Sequence, residues 1–81
     1  MSIIIYTKTG CPWCADALAF LNGAHILFEE RNVTENPAYF KEMKEKSGQE
    51  KAPTLDLDGF ILADTDAEAI EKYLRSKGTI T

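Results

Sequence analysis

Residues 3 to 6 read Ile-Ile-Ile-Tyr, and this run restricts the fold more tightly than any other part of the chain. Side chains along a strand alternate between its two faces, so four consecutive β-branched or aromatic residues are apolar on both. Such a strand has to be covered on both sides. Eighty-one residues can fill only one hydrophobic core. The strand is therefore expected in the middle of one sheet, in a single domain spanning residues 1–81. Hydrophobic residues make up 44% of the chain and charged residues 27%, a balance that excludes a disordered segment.

The rest of the chain supplies the cover. Thr7-Lys8-Thr9-Gly10 breaks the strand, and from Pro12 to about Asn22 the residues Cys14, Ala17, Leu18 and Leu21 recur at helical spacing, with Asn22-Gly23 as the stop. His25 to Val33 reads as a second strand, Ile26 and Phe28 on one face and Leu27 on the other. A strand, helix, strand crossover pairs its strands in parallel. Asn36 as N-cap before Pro37 opens a second helix with Phe40 and Met43 on its apolar stripe, closed by Ser47-Gly48. Asp58-Gly59 between Pro53–Leu57 and Phe60–Leu62 signals an antiparallel hairpin. Ala67, Ile70, Tyr73 and Leu74 then line one face of a third helix, from Asp66 to about Lys77, with Thr65 or Asp64 as N-cap and Gly78 as stop.

The expected order is β-α-β-α-β-β-α, an α/β chain with a four-stranded mixed sheet flanked by three helices. That arrangement is the thioredoxin fold. Asp56 is out of place in a strand covered on both faces, since an unpaired buried carboxylate is costly, and is expected near a strand edge or a basic partner. The C-terminal end of the first strand opens onto a crevice of the kind where α/β sheets place their sites. Cys11 stands there, separated from Cys14 by Pro12 and Trp13.

As a structural staple this pair closes a very small loop and removes little unfolded-state entropy. As a zinc site it lacks ligands, because the chain holds two cysteines and one histidine, His25, where a tetrahedral site takes four. Redox chemistry accounts for the arrangement. With Cys11 at the N-cap and Pro12 at N1, the Cys11 sulfur faces unsatisfied backbone N–H groups and the positive end of the helix dipole. Lys8 adds a nearby positive charge, and such surroundings bring a cysteine pKa from about 8.5 into the range of roughly 3.5 to 7.5. Cys14, one turn inward, is the natural resolving thiol. Trp13 at N2 forms an exposed lip.

A formal net charge of −4 opposes long-range attraction to nucleic acid or to an anionic membrane surface. No apolar run approaches the roughly 20 residues that span a bilayer, and the N-terminus has no signal-peptide character. The expected location is the cytoplasm, where thiols are kept reduced.

The segment Tyr6-Thr7-Lys8-Thr9-Gly10-Cys11-Pro12-Trp13-Cys14 resembles the active-site segment of the glutaredoxins. Lys51-Ala52-Pro53, after Ser47-Gly48, resembles that family's loop before its cis-proline. The resemblance covers essentially the whole chain in length, element order and spacing. It implies a monomeric, glutathione-dependent thiol-disulfide oxidoreductase with no bound cofactor, acting on protein disulfides or glutathionylated proteins. Glutathione would be the co-substrate: Lys8 would hold its glycine carboxylate, Pro12 and Trp13 would line the groove, Ala52 ahead of a cis Pro53 would pair with its backbone, and Thr65 and Asp66 would receive its γ-glutamyl carboxylate. Where the family usually has Gly-Gly, a variable residue and Asp, this chain has Ala63-Asp64-Thr65-Asp66. That difference keeps open an electron donor served by thioredoxin reductase. A dimer holding an iron-sulfur cluster between Cys11 thiolates and glutathione ranks below both.

Overall fold

The computed structural model describes residues 2–80. Its elements follow in the order β1 (Ile3–Thr7), α1 (Pro12–Gly23), β2 (Glu29–Asn32), α2 (Pro37–Ser47), β3 (Thr54–Leu57), β4 (Phe60–Leu62) and α3 (Ala67–Ser76). The sheet order is β2-β1-β3-β4. β1 pairs in parallel with β2, from Ile4 opposite Glu29 to Thr7 opposite Asn32. Its other edge pairs antiparallel with β3, which pairs antiparallel with β4. This is the thioredoxin fold.

Alternation along β1 and β3 divides the molecule into two layers. Ile3, Ile5, Leu55 and Leu57 pack with Ala17 and Leu21 of α1 and Ile70 and Leu74 of α3 in an aliphatic core. On the opposite face Tyr6 packs with Val33 and with Met43 of α2, flanked by Ile4, Tyr39 and Phe40.

Local signals account for most element ends. Asn36 accepts a hydrogen bond from the Ala38 N–H at 3.0 Å, and Gly48 closes α2 in the left-handed conformation at φ 71°. Asp58 and Gly59 both have positive φ, 53° and 96°, as a two-residue hairpin turn requires for its twist to match the strands.

Two expectations need correction. The second strand covers Glu29–Asn32 rather than 25–33. Residues 24–26 are still finishing α1: the His25 N–H bonds the Asn22 carbonyl at 3.1 Å, the Ile26 N–H bonds that of Leu21 at 3.0 Å, and His25 turns through φ 57°. Ile26 and Phe28 do pack on the core and Leu27 does point outward, so the alternation was real before any strand pairing began. The N-cap of α3 is Asp66, not Thr65 or Asp64, and its carboxylate accepts from the Ala69 N–H at 2.9 Å. Thr65 is committed elsewhere, its N–H donating to the Pro53 carbonyl at 2.9 Å, and Asp64 sits at φ 49°, outside cap geometry.

Asp56 lies on an interior strand, so a basic partner accounts for it. Lys46 of α2 reaches its carboxylate at 2.8 Å, and the Gly59 N–H donates to the other oxygen at 2.7 Å. The Lys46 hydrogen bond, with help from Gly59, holds the Asp56 carboxyl below its ordinary value against the cost of burial. Beside it, Glu42 accepts from the buried Tyr6 hydroxyl and from Arg31. The Tyr6 bond, then Arg31 and Lys46, depress the Glu42 pKa although burial opposes them. Burial, followed by the bond to Glu42, pushes the Tyr6 phenol up.

Candidate active site

The site is assembled where β1 ends. After Thr7 the chain turns through Gly10, at φ 75°, and enters α1 at Cys11. Cys11 takes the extended backbone of an N-cap, φ −95° and ψ 109°, with Pro12 in the first turn, where its missing N–H is not needed. The Cys11 sulfur accepts a hydrogen bond from the Cys14 N–H at 3.1 Å. Cys11 and Cys14 are joined as a disulfide, their Cα atoms 5.2 Å apart.

The two sulfurs have different surroundings. Cys14, in the first turn of α1, is 2% exposed, whereas Cys11 is half-buried at the helix N-terminus. In the dithiol state the N–H groups of the first turn and the helix dipole favour the Cys11 thiolate over that of buried Cys14. Trp13 is 62% exposed beside them.

A second segment faces the cysteines. The Ala52–Pro53 peptide bond is cis, and the Ala52 carbonyl oxygen lies 3.9 Å from the Cys11 sulfur. Gln49 braces this loop, accepting from the Lys51 N–H at 2.7 Å and donating to the Thr54 hydroxyl at 3.0 Å. The Thr65 N–H on the Pro53 carbonyl then draws the start of α3 up to the same place.

The three segments enclose a groove of about 640 Å³. Lys8, Pro12, Trp13, Ala52, Thr65 and Asp66, six of the residues expected to bind a ligand, line it together with Cys11. Pro53 is buried behind Ala52 rather than on the wall. The groove also takes in Lys51, which the sequence alone did not place in the site, and Asp64, which the sequence marks as a departure from the family's Gly-Gly. The signal for Lys51 was available, since the residue before Ala52-Pro53 must lie within reach of whatever that loop binds. Among the described residues, no group of three or more His, Cys, Asp or Glu side chains is placed to hold a metal ion, and no helix is long and apolar enough to cross a membrane.

A cysteine capping a helix after the first strand of this fold, with its partner one turn inside and a cis-proline opposite, defines the class: a thioredoxin-fold thiol-disulfide oxidoreductase. Within that class the glutaredoxin profile matches residues 3–62, and the chain belongs to the glutaredoxin family. It is 31% identical to an uncharacterised glutaredoxin-like 8.6 kDa protein from the rubredoxin operon of Clostridium pasteurianum, over 89% of this chain and 96% of that one. It is 35% identical to glutaredoxin 3 of Escherichia coli K12, over 70% of this chain and 69% of the relative. Its fold is shared by the glutaredoxin-like protein NrdH-redoxin of Escherichia coli, with a TM-score of 0.76 at 21% identity over 89% and 93% of the two chains.

Proposed function

We propose that this protein is a cytoplasmic, monomeric, glutathione-dependent oxidoreductase that reduces protein disulfides and glutathione mixed disulfides, with Cys11 as nucleophile and Cys14 as resolving thiol. The observation that carries the reading is the placement of the half-buried Cys11 sulfur, at a helix N-terminus, beside the Ala52 carbonyl and in one groove with Lys8 and the start of α3. Glutathione fits this groove with its glycine carboxylate toward Lys8. Its cysteinyl backbone runs along Ala52, next to Pro53, and its γ-glutamyl carboxylate meets the start of α3 at Thr65 and Asp66. Pro12 and the Trp13 ring form the outer wall.

The Cys11 thiolate attacks one sulfur of the substrate disulfide, forming a mixed disulfide and expelling the other sulfur as a thiolate. Cys14 resolves it: its proton passes to the departing side, its sulfur bonds to that of Cys11, and the second substrate thiol is released. Two glutathione molecules then return the Cys11–Cys14 disulfide to the dithiol and leave as glutathione disulfide. For a glutathionylated protein, a glutathione thiolate can resolve the Cys11 mixed disulfide directly.

The test is the rate of glutathione oxidation with a small mixed disulfide as substrate. Cys11→Ser is expected to abolish it, whereas Cys14→Ser spares reduction of glutathione mixed disulfides and removes dithiol reduction. Equal loss in both variants overturns the assigned roles.

A second reading is favoured by Asp64. Its carboxylate stands on the groove wall at the end proposed for the γ-glutamyl group, where it opposes an anion. In this reading thioredoxin reductase, not glutathione, supplies the electrons. Coupled assays with each reductase on equal protein separate the two.

A further inference from the structure

The groove walls are not uniform in charge. Lys8, over the Phe40 ring of α2, and Lys51, in the loop after α2, line it where it borders α2, and Asp64 and Asp66 line it where it runs into α3. Among the described residues Lys8, Lys51 and Asp64 take part in no salt bridge. The Asp64 carboxylate also accepts no hydrogen bond there, and that of Asp66 spends one oxygen on the Ala69 N–H. The N-terminus of α3 contributes roughly half a positive charge, too little to cancel two carboxylates.

The chain direction of a bound partner follows from the loop. From Lys51 to Pro53 the backbone leads from the cationic side toward Thr65, whose N–H holds the Pro53 carbonyl, and so toward Asp64. A partner running antiparallel to Ala52 has its N-terminal side at Asp64 and its C-terminal side at Lys51 and Lys8. This is the direction proposed above for glutathione, and the inference rests on that reading of the groove. Glutathione presents a carboxylate to Asp64, whereas an internal polypeptide segment does not.

We propose that the groove reads charge along its length, and that its preferred disulfide partner is a polypeptide segment with a basic residue before its reacting cysteine and an acidic residue after it, Asp64 being the specificity-determining residue. Partner chemistry is unchanged: Cys11 attacks the segment's sulfur, its former partner leaves as a thiolate, and Cys14 releases the segment as a thiol.

The test uses the pre-reduced full chain in single turnovers, so no external reductant takes part. Its substrates are 2-mercaptoethanol mixed disulfides of acetyl-Lys-Cys-Glu-amide, acetyl-Glu-Cys-Lys-amide and acetyl-Ala-Cys-Ala-amide. Each rate is divided by that of free dithiothreitol on the same disulfide. The Lys-Cys-Glu peptide is expected to react about fivefold faster than its charge-reversed partner, the scale of a favourable exposed ion pair, with the Ala peptide between them. Asp64→Asn, which tolerates the left-handed backbone at φ 49°, is expected to lose more than half of that preference, and Lys51→Gln to lose part of it. At 1 M salt, where screening acts within about 3 Å, the two charged peptides converge. A ratio below about two, or one that survives both Asp64→Asn and 1 M salt, overturns the inference while leaving the redox assignment intact. Failure to reduce any of the three peptides overturns both. A negative glutathione assay with the charge preference retained overturns glutathione as reductant and supports the inference.

Discussion

The two faces of the central sheet are held by different forces. Against α1 and α3 the fully buried contacts are aliphatic. Against α2 the buried patch is small, and a network of Tyr6, Glu42, Arg31, Lys46 and Asp56 completes it. Apolar burial is indifferent to protons, whereas each carboxylate in the network has a pH below which it stops contributing. One layer therefore sets how stable the protein is, and the other sets over which pH range.

The largest effect is expected on the aliphatic side. Leu21 is fully buried between α1 and the sheet, and Leu21→Ala should cost about 2–5 kcal/mol in urea unfolding, by nearly the same amount at neutral pH and at about pH 3. A loss that varies strongly with pH would break the division between the faces.

Next comes Glu42→Gln, which removes the charge from an acceptor shared by Tyr6 and Arg31. Because Glu42 is part-exposed, the expected cost is about 1–2 kcal/mol rather than that of a fully buried pair. Asp56→Asn, which weakens the tie between Lys46 and β3, should cost about 1 kcal/mol by the same measurement.

Both carboxyls sit below their ordinary values of 4.5 and 3.8, so the folded chain binds these protons less tightly than the unfolded chain does. Their contribution is complete above the ordinary values and is lost as pH falls through the folded ones. In the Glu42→Gln, Asp56→Asn double variant, unfolding free energy measured from neutral pH down to about pH 3 should fall less steeply than in the wild type. An identical slope would remove the network from the pH response.

The smallest effect belongs to neither face. Arg75 and Glu71 pair at 2.6 Å on the open side of α3, and Glu71→Gln should change stability by at most about 0.5 kcal/mol.

Much of this plan is legible in the sequence because its strongest signals are local. Asn36-Pro37, Asp58-Gly59 and Cys11-Pro12 each specify a backbone conformation that sterics and one hydrogen bond enforce. Asp56 was legible as an anomaly, and its partner Lys46 satisfied it. β2 was not legible. Glu29-Glu30-Arg31-Asn32 has no strand pattern, and it is a strand because β1 offers it a parallel edge. The α3 cap failed for a related reason: Asp64, Thr65 and Asp66 are all capable caps, and the choice was made by the distant Pro53 carbonyl. The groove residues were legible through a resemblance in motif, which pointed to the positions matching known ones. Asp64 was legible as a departure from that motif, whereas Lys51 fell outside it, because its part depends on which walls meet in space.

Trp13 is the only tryptophan in the chain, 62% exposed, with a cysteine on either side of the Pro12-Trp13 pair. A disulfide accepts an electron from an excited indole far more readily than a thiol does, and so quenches its light. The protein thus carries its own optical reporter at its reactive end: emission should brighten on reduction and shift in colour as a partner covers the ring, so that oxidation state and occupancy can be followed in unlabelled material.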